Sequence, residues 1–266
     1  MELFGYLASV LMGLSLGLIG GGGSILTVPI LVYLFSVNPI TATAYSLFIV
    51  GLTALVGGIF YLKRGDVDLK TGFIFAVPSF IGVYLTRAYV VPQLPDPVFF
   101  MGETAVSKPL LIMLVFAVLM VLASLSMIRS QNGPSRKLEL SQQMRGLLIS
   151  IEGLIVGGVT GFVGAGGGFL IIPALVVLVG LPMKIAVGTS LFIIAAKSLI
   201  GFVGDLQQHG TVDWQLLITI AAIAITGLFL GMKLSRRVSE KSLKKGFGYF
   251  VLIMGTLILI DQFRRL

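Results

Sequence analysis

Long apolar runs alternate with short polar breaks along the chain. Ten runs stand out: about 3–19, 24–36, 40–62, 71–91, 109–128, 147–163, 169–180, 185–204, 214–233 and 247–263. Most of them reach or approach the roughly 20 residues that a helix needs to cross a hydrocarbon core about 30 Å thick. Two are much too short. The run 24–36 has 13 residues, which at about 1.5 Å each cover about 20 Å, and 169–180 is shorter still. Each short run follows a glycine cluster, GLIGGGGS in the first half and GFVGAGGG in the second. Glycine costs about 1 kcal/mol relative to Ala inside a helix, so both clusters predict a helix break at membrane depth. Such a break is tolerated only where protein buries it or where it lines a cavity. The pattern predicts an all-α polytopic membrane protein with two glycine-broken short-helix segments.

The halves also repeat. At an offset of 144 residues, GLIGGGGSILTVPIL from Gly17 lies on GFVGAGGGFLIIPAL from Gly161. Identities fall at Gly17/Gly161, Gly20/Gly164, Gly22/Gly166, Gly23/Gly167, Leu26/Leu170, Pro29/Pro173 and Leu31/Leu175. The same offset pairs Ala42 with Ala186, and Ser46-Leu47-Phe48 with Ser190-Leu191-Phe192. After one residue of slippage, Gly65-Asp66-Val67-Asp68 meets Gly210-Thr211-Val212-Asp213, and Gly82 meets Gly227.

Basic residues set the orientation of the repeats. The stretch 129–145 carries Arg129, Arg136, Lys137 and Arg145; the stretch 233–245 carries Lys233, Arg236, Arg237, Lys241, Lys244 and Lys245. Both read as cytoplasmic. Returning to one side between them takes either four crossings or a re-entrant hairpin followed by two. Each half then crosses three or five times, and duplicated units with an odd count insert in opposite senses. The expectation is one membrane transport domain over 1–266: repeat 1 at about 3–128, a cytoplasmic linker at about 129–146, and an inverted repeat 2 at about 147–263. The N-terminus, 92–107 and the loop 205–213 come out external; Arg264 and Arg265 do too, against the charge rule. MELFGYLASVLMG reads as part of the first helix, since it has no basic start and no evident cleavage site. Inverted repeats with paired glycine-interrupted segments point to a secondary transporter.

Composition narrows the chemistry. Charged residues make up 11% of the chain and hydrophobic ones 56%, against about 25% charged in a soluble domain. There is no Cys and a single His, which argues against thiolate nucleophiles, Fe–S clusters, thiolate zinc, His-built metal sites and triads. Neither glycine cluster continues into Gly-Lys-Ser/Thr, so direct ATP use is not expected. A net charge of +8 would suggest nucleic acid in a soluble protein, but the basic residues sit between apolar runs, as topology signals do. The chain reads as a non-enzyme with no cofactor, no metal and no nucleic-acid partner.

The paired GxGGG-containing segments with their following prolines (Pro29, Pro173), and the A-x-x-x-S-L-F blocks from Ala42 and Ala186, resemble the TauE/SafE family of sulfite and organosulfonate exporters. The resemblance covers about 5–90 and 147–260. It implies export of a small sulfur-containing anion such as sulfite, sulfoacetate or another organosulfonate across the cell membrane. An anion channel on the same fold, or a non-transporting membrane subunit, are the rival readings.

A helix that opens after a glycine turn presents bare N–H groups and the positive end of its dipole, which suits an anion. Gly20, Gly22, Gly23 and Ser24 open one short helix; Gly164, Gly166, Gly167 and Gly168 open the other. Lys197, in FIIAAKSLIGF, lies deep in an apolar run where a charge needs a cavity or a partner; Glu152 is a candidate partner, and also the one plausible intramembrane proton carrier. The match of Lys197 in the first half is Thr53. Ser46, Thr189 and Ser190 supply hydroxyls that either meet substrate oxygens or bond back to their own helices. Arg87 reads as an interfacial cation near the external end of 71–91. Asp66, Asp68 and Asp213 read as caps or turns, and His209 as an external-loop residue without a role.

Overall fold

The computed structural model describes residues 2–21, 23–101, 104–129, 142–164, 167–177, 179–206, 212–235 and 240–264. The described residues form ten helices. In the first half they are α1 (Glu2–Ile19), α2 (Ser24–Leu34), α3 (Pro39–Lys63), α4 (Leu69–Gln93) and α5 (Lys108–Arg129). In the second they are α6 (Gln142–Val163), α7 (Gly168–Val177), α8 (Met183–Leu206), α9 (Trp214–Leu234) and α10 (Glu240–Arg264). The apolar runs set their number, and capping chemistry sets several starts. Asn38 accepts from the Ile40 amide with Pro39 at the first helical position, Asp68 accepts from Thr71, and Asp213 accepts from Leu216. Among the described residues six helices are long and apolar enough to cross a membrane: α3, α4, α5, α6, α8 and α9. The chain is a multi-pass membrane protein.

A short hairpin, β1 (Phe99–Met101) and β2 (Thr104–Val106), lies in the connection that the apolar pattern leaves as a loop between α4 and α5. The basic residues 241–245, which composition assigns to a loop, fall in the opening turns of α10. The linker 130–141 and His209 lie outside the described residues.

The first glycine break turns the chain back on itself. Gly20, at φ +80°, stops α1, and α2 then runs alongside it until Phe35 stacks edge-on against Tyr6, ring centroids 5.3 Å apart. The start of α1 and the end of α2 are therefore neighbours.

Packing between the halves obeys an exchange rule. The helices α1 and α9 pack together, as do their counterparts α6 and α4, while α3 packs on its own counterpart α8 and α5 on α10. The residues follow the same rule. Gly13 faces the Ala224 backbone and Gly157 the Ser79 backbone; Gly17 faces Leu228 and Gly161 faces Val83; Gly227 faces Val10 and Leu14, and Gly82 faces Leu154 and Gly158. Each contact is another shifted by 144 or 145 positions. A side chain at any of these glycines would strike a backbone, so their absence lets helices approach to main-chain contact, which is how small residues hold helices together in lipid. On α3 and α8 the contacts run in opposite order: Leu47 lies by Gly201, Gly51 by Leu199, and Gly58 by Phe192. These two helices are antiparallel.

Arg87 departs from its expected place. It is 1% exposed, and its guanidinium faces the Asp205 carboxylate at 3.4 Å. Asp205 is not in a loop but in the last turn of α8, 4% exposed. Apolar periodicity treats each charge singly, whereas opposite charges brought together tolerate a burial that neither would alone. At the other end of α8, Lys184 pairs with Asp66 at 2.9 Å, so Asp66 serves as an ion-pair partner in the turn before α4.

Candidate functional site

The two glycine breaks meet. A side chain placed on Gly21 would strike the backbone of Gly168, and one on Gly168 would strike Gly21. Both breaks are built alike: the Gly20 amide donates to the Leu16 carbonyl and the Gly164 amide to Thr160, while Leu26 donates to Gly23 and Leu170 to Gly167. Gly20 and Gly164 both have positive φ, +80° and +73°, a conformation open to glycine with little penalty. Gly20 packs on Val187 of α8, and Gly164 packs on Thr43 of α3, its exchange-related counterpart. All described cluster residues, with Ser24, are buried. Gly22 and Gly166 lie outside the described residues.

One face of α8 serves both breaks, because residues at i, i+4 and i+7 of a helix share a side. Ser190 shares its one hydroxyl proton between the Gly20 carbonyl at 3.1 Å and the Val187 carbonyl of its own helix at 2.8 Å. Ile194 touches Gly168. Lys197 places its ammonium against Gly167, where an added Cβ would sit 2.6 Å from Nζ. That ammonium is 0% exposed and donates to Thr160 Oγ1 at 2.8 Å. Among the described residues no carboxylate pairs with it. A buried cation held by one neutral hydroxyl is electrostatically incomplete. The arrangement is suited to an anion.

A family model described as Sulfite exporter TauE/SafE matches residues 6–258. The chain belongs to the sulfite exporter TauE/SafE family. A probable membrane transporter protein of Xylella fastidiosa (strain 9a5c) is 31% identical over 253 residues, covering 94% of this chain and 91% of the relative. The probable membrane transporter protein YunE of Bacillus subtilis is 28% identical over 285 residues, covering 95% and 96%. A probable membrane transporter protein of Methanocaldococcus jannaschii is 24% identical over 268 residues, covering 94% of each chain. No solved structure matches. This TauE/SafE member is a multi-pass membrane transporter.

Within it, the sequence-predicted residues separate. Gly20, Gly23, Ser24, Gly164, Gly167, Gly168, Ser190 and Lys197 come together around the two breaks. Ser24 turns its hydroxyl to the Gly21 carbonyl at 2.8 Å. Ser46, the counterpart of Ser190, is fully buried, and its Oγ has no hydrogen-bond partner among the described residues. Thr189 is drawn elsewhere: its hydroxyl accepts from the Asp68 amide at 2.9 Å, tying α8 to the start of α4. Tyr45 does the same for Asp213 in the other half, at 2.8 Å. Glu152 is not the partner of Lys197. It stands eight residues before Thr160 on α6, about 12 Å along the helix, half-buried and with no partner for Oε2 among the described residues. The lysine's actual partner, Thr160, escapes the sequence reading because a Thr in an apolar helix looks like any other.

Proposed function

We propose that this transporter exports a small sulfur-containing anion (sulfite, sulfoacetate or another organosulfonate) across the cell membrane by alternating access. The observation that carries the reading is Lys197, fully buried where the two glycine breaks meet and with no carboxylate paired to it among the described residues. A charge at the bilayer centre costs about 2.5–3.5 kcal/mol on insertion scales, and a bound anion offsets that cost. The amides of the two breaks, with the Ser46 hydroxyl, are the proposed donors to the oxygens of a tetrahedral sulfur head. The family name supports the substrate class. Antiparallel packing of α3 on its counterpart α8 supports the inverted orientation of the halves. An inside-negative potential drives an anion outward by about 2.3 kcal/mol per charge per 100 mV, so the proposed cycle runs without nucleotide. Glu152 is the proposed carrier if protons are coupled.

The test is efflux of sulfite and of sulfoacetate from proteoliposomes. The expected result is saturable efflux, accelerated by anion on the far side and reduced at least roughly ten-fold by Lys197→Met, the loss expected for one charge-assisted contact. Single-channel currents would replace the carrier by a channel. Competition by carboxylates but not by sulfonates would overturn the substrate class.

A further inference from the structure

The exchange rule has a local exception at the site. Leu16 and Thr53 are the counterparts of Thr160 and Lys197. In the first half, Thr53 turns its hydroxyl back to the Ile49 carbonyl at 2.7 Å, in its own helix. In the second half, both members of the pair change together, into an ammonium and the hydroxyl that receives it. The chain of donors has a direction. Thr160 Oγ1 donates to the Gly157 carbonyl at 3.3 Å, which uses its only proton. Its lone pairs are then left to accept from Lys197 Nζ at 2.8 Å. Lysine has three N–H donors, and this bond occupies one.

We infer that Thr160 is the positioning residue for Lys197, and that the pair fixes the anion's seat on the second-half side of the pseudo-symmetric site, against Gly167. This rests on Lys197 being the anion contact proposed above. Without the Thr160 acceptor, a flexible four-carbon stem is free to swing among rotamers, and the two remaining N–H groups lose their aim. The exchange-related hydroxyl of Thr53 plays no such part, because its proton is held by its own helix.

The experiment measures sulfite and sulfoacetate binding to the purified full chain, and efflux from proteoliposomes, for Thr160→Val, Thr160→Ser, Thr53→Val and Lys197→Met. Thr160→Val keeps the shape and removes the acceptor. It should raise the Kd and the half-saturating concentration for both anions by roughly 10- to 100-fold, with maximal efflux and ligand-free melting temperature little changed. Thr160→Ser should restore binding to within about three-fold of the parent, the context-dependent scatter of one such hydrogen bond, and Thr53→Val should bind as the parent does. Parent-like binding by Thr160→Val, or an equal loss in Thr53→Val, overturns the inference. If Thr160→Val does not fold, a folded Thr160→Ser that binds as poorly as Lys197→Met overturns it equally. Parent-like binding by Lys197→Met removes the proposed function as well, whereas a silent Thr160→Val beside a dead Lys197→Met removes only the positioning role.

Discussion

Among the glycines of this transporter, identical residues do different work. Gly20 and Gly164 hold positive φ and press against Val187 and Thr43. Alanine at either position meets a backbone penalty of about 1–2 kcal/mol, and its methyl group collides as well. Gly20→Ala and Gly164→Ala should each lower the melting temperature and the folded yield in detergent. Gly146, in the first turns of α6, has nothing within 4 Å of where a Cβ would stand. Gly146→Ala should leave stability unchanged or raise it by up to about 1 kcal/mol, as read by thermal unfolding of the two proteins side by side. Sequence alone nominates the cluster glycines through their repetition, but it does not show that Gly20 and Gly164 hold positive φ or what they press against, because the sign of φ and the neighbour across the gap belong to the fold.

At the level of elements, two kinds of contact join the halves. The first is main-chain approach along Gly13 and Gly17 of α1 and along Gly153, Gly157 and Gly161 of α6. Gly157→Ala should push α6 off Ser79 of α4 and cost about 1–3 kcal/mol, the usual penalty of overpacking; Gly13→Ala should match it through Ala224. The second is the Arg87–Asp205 pair between the ends of α4 and α8. Removing one partner of a buried pair costs about 3–5 kcal/mol, whereas replacing both by apolar groups is often neutral. Asp205→Asn should therefore destabilise far more than Arg87→Met with Asp205→Leu, when all are melted in the same detergent. The counterparts of this pair, Met232 and Tyr61, are buried and neutral, so the repeat carries this buried ion pair in one copy only.

The whole molecule is organised by its repeat, and the repeat gives a topology test. Ile40 and Lys184 are counterparts at the starts of α3 and α8, and the chain has no native Cys to interfere. Ile40→Cys and Lys184→Cys should react with a membrane-impermeant thiol reagent from opposite sides, Ile40 from outside and Lys184 from the cytoplasm. Labelling of both from one side would mean a parallel repeat. The ten apolar runs, the glycine breaks and the 144-residue offset were all legible in the sequence, because helix length, glycine's cost and duplication are properties of the linear chain. Five helices per half follow from them. What tertiary structure alone decided is which groups share a space: that Thr160 and not Glu152 receives Lys197, that Thr189 serves the α4 cap, and that Arg87 is buried opposite Asp205. Those partners lie 37, 121 and 118 positions apart. Hydrogen bonds and ion pairs act over a few ångströms, so only the way the helices cross determines which side chains can use them.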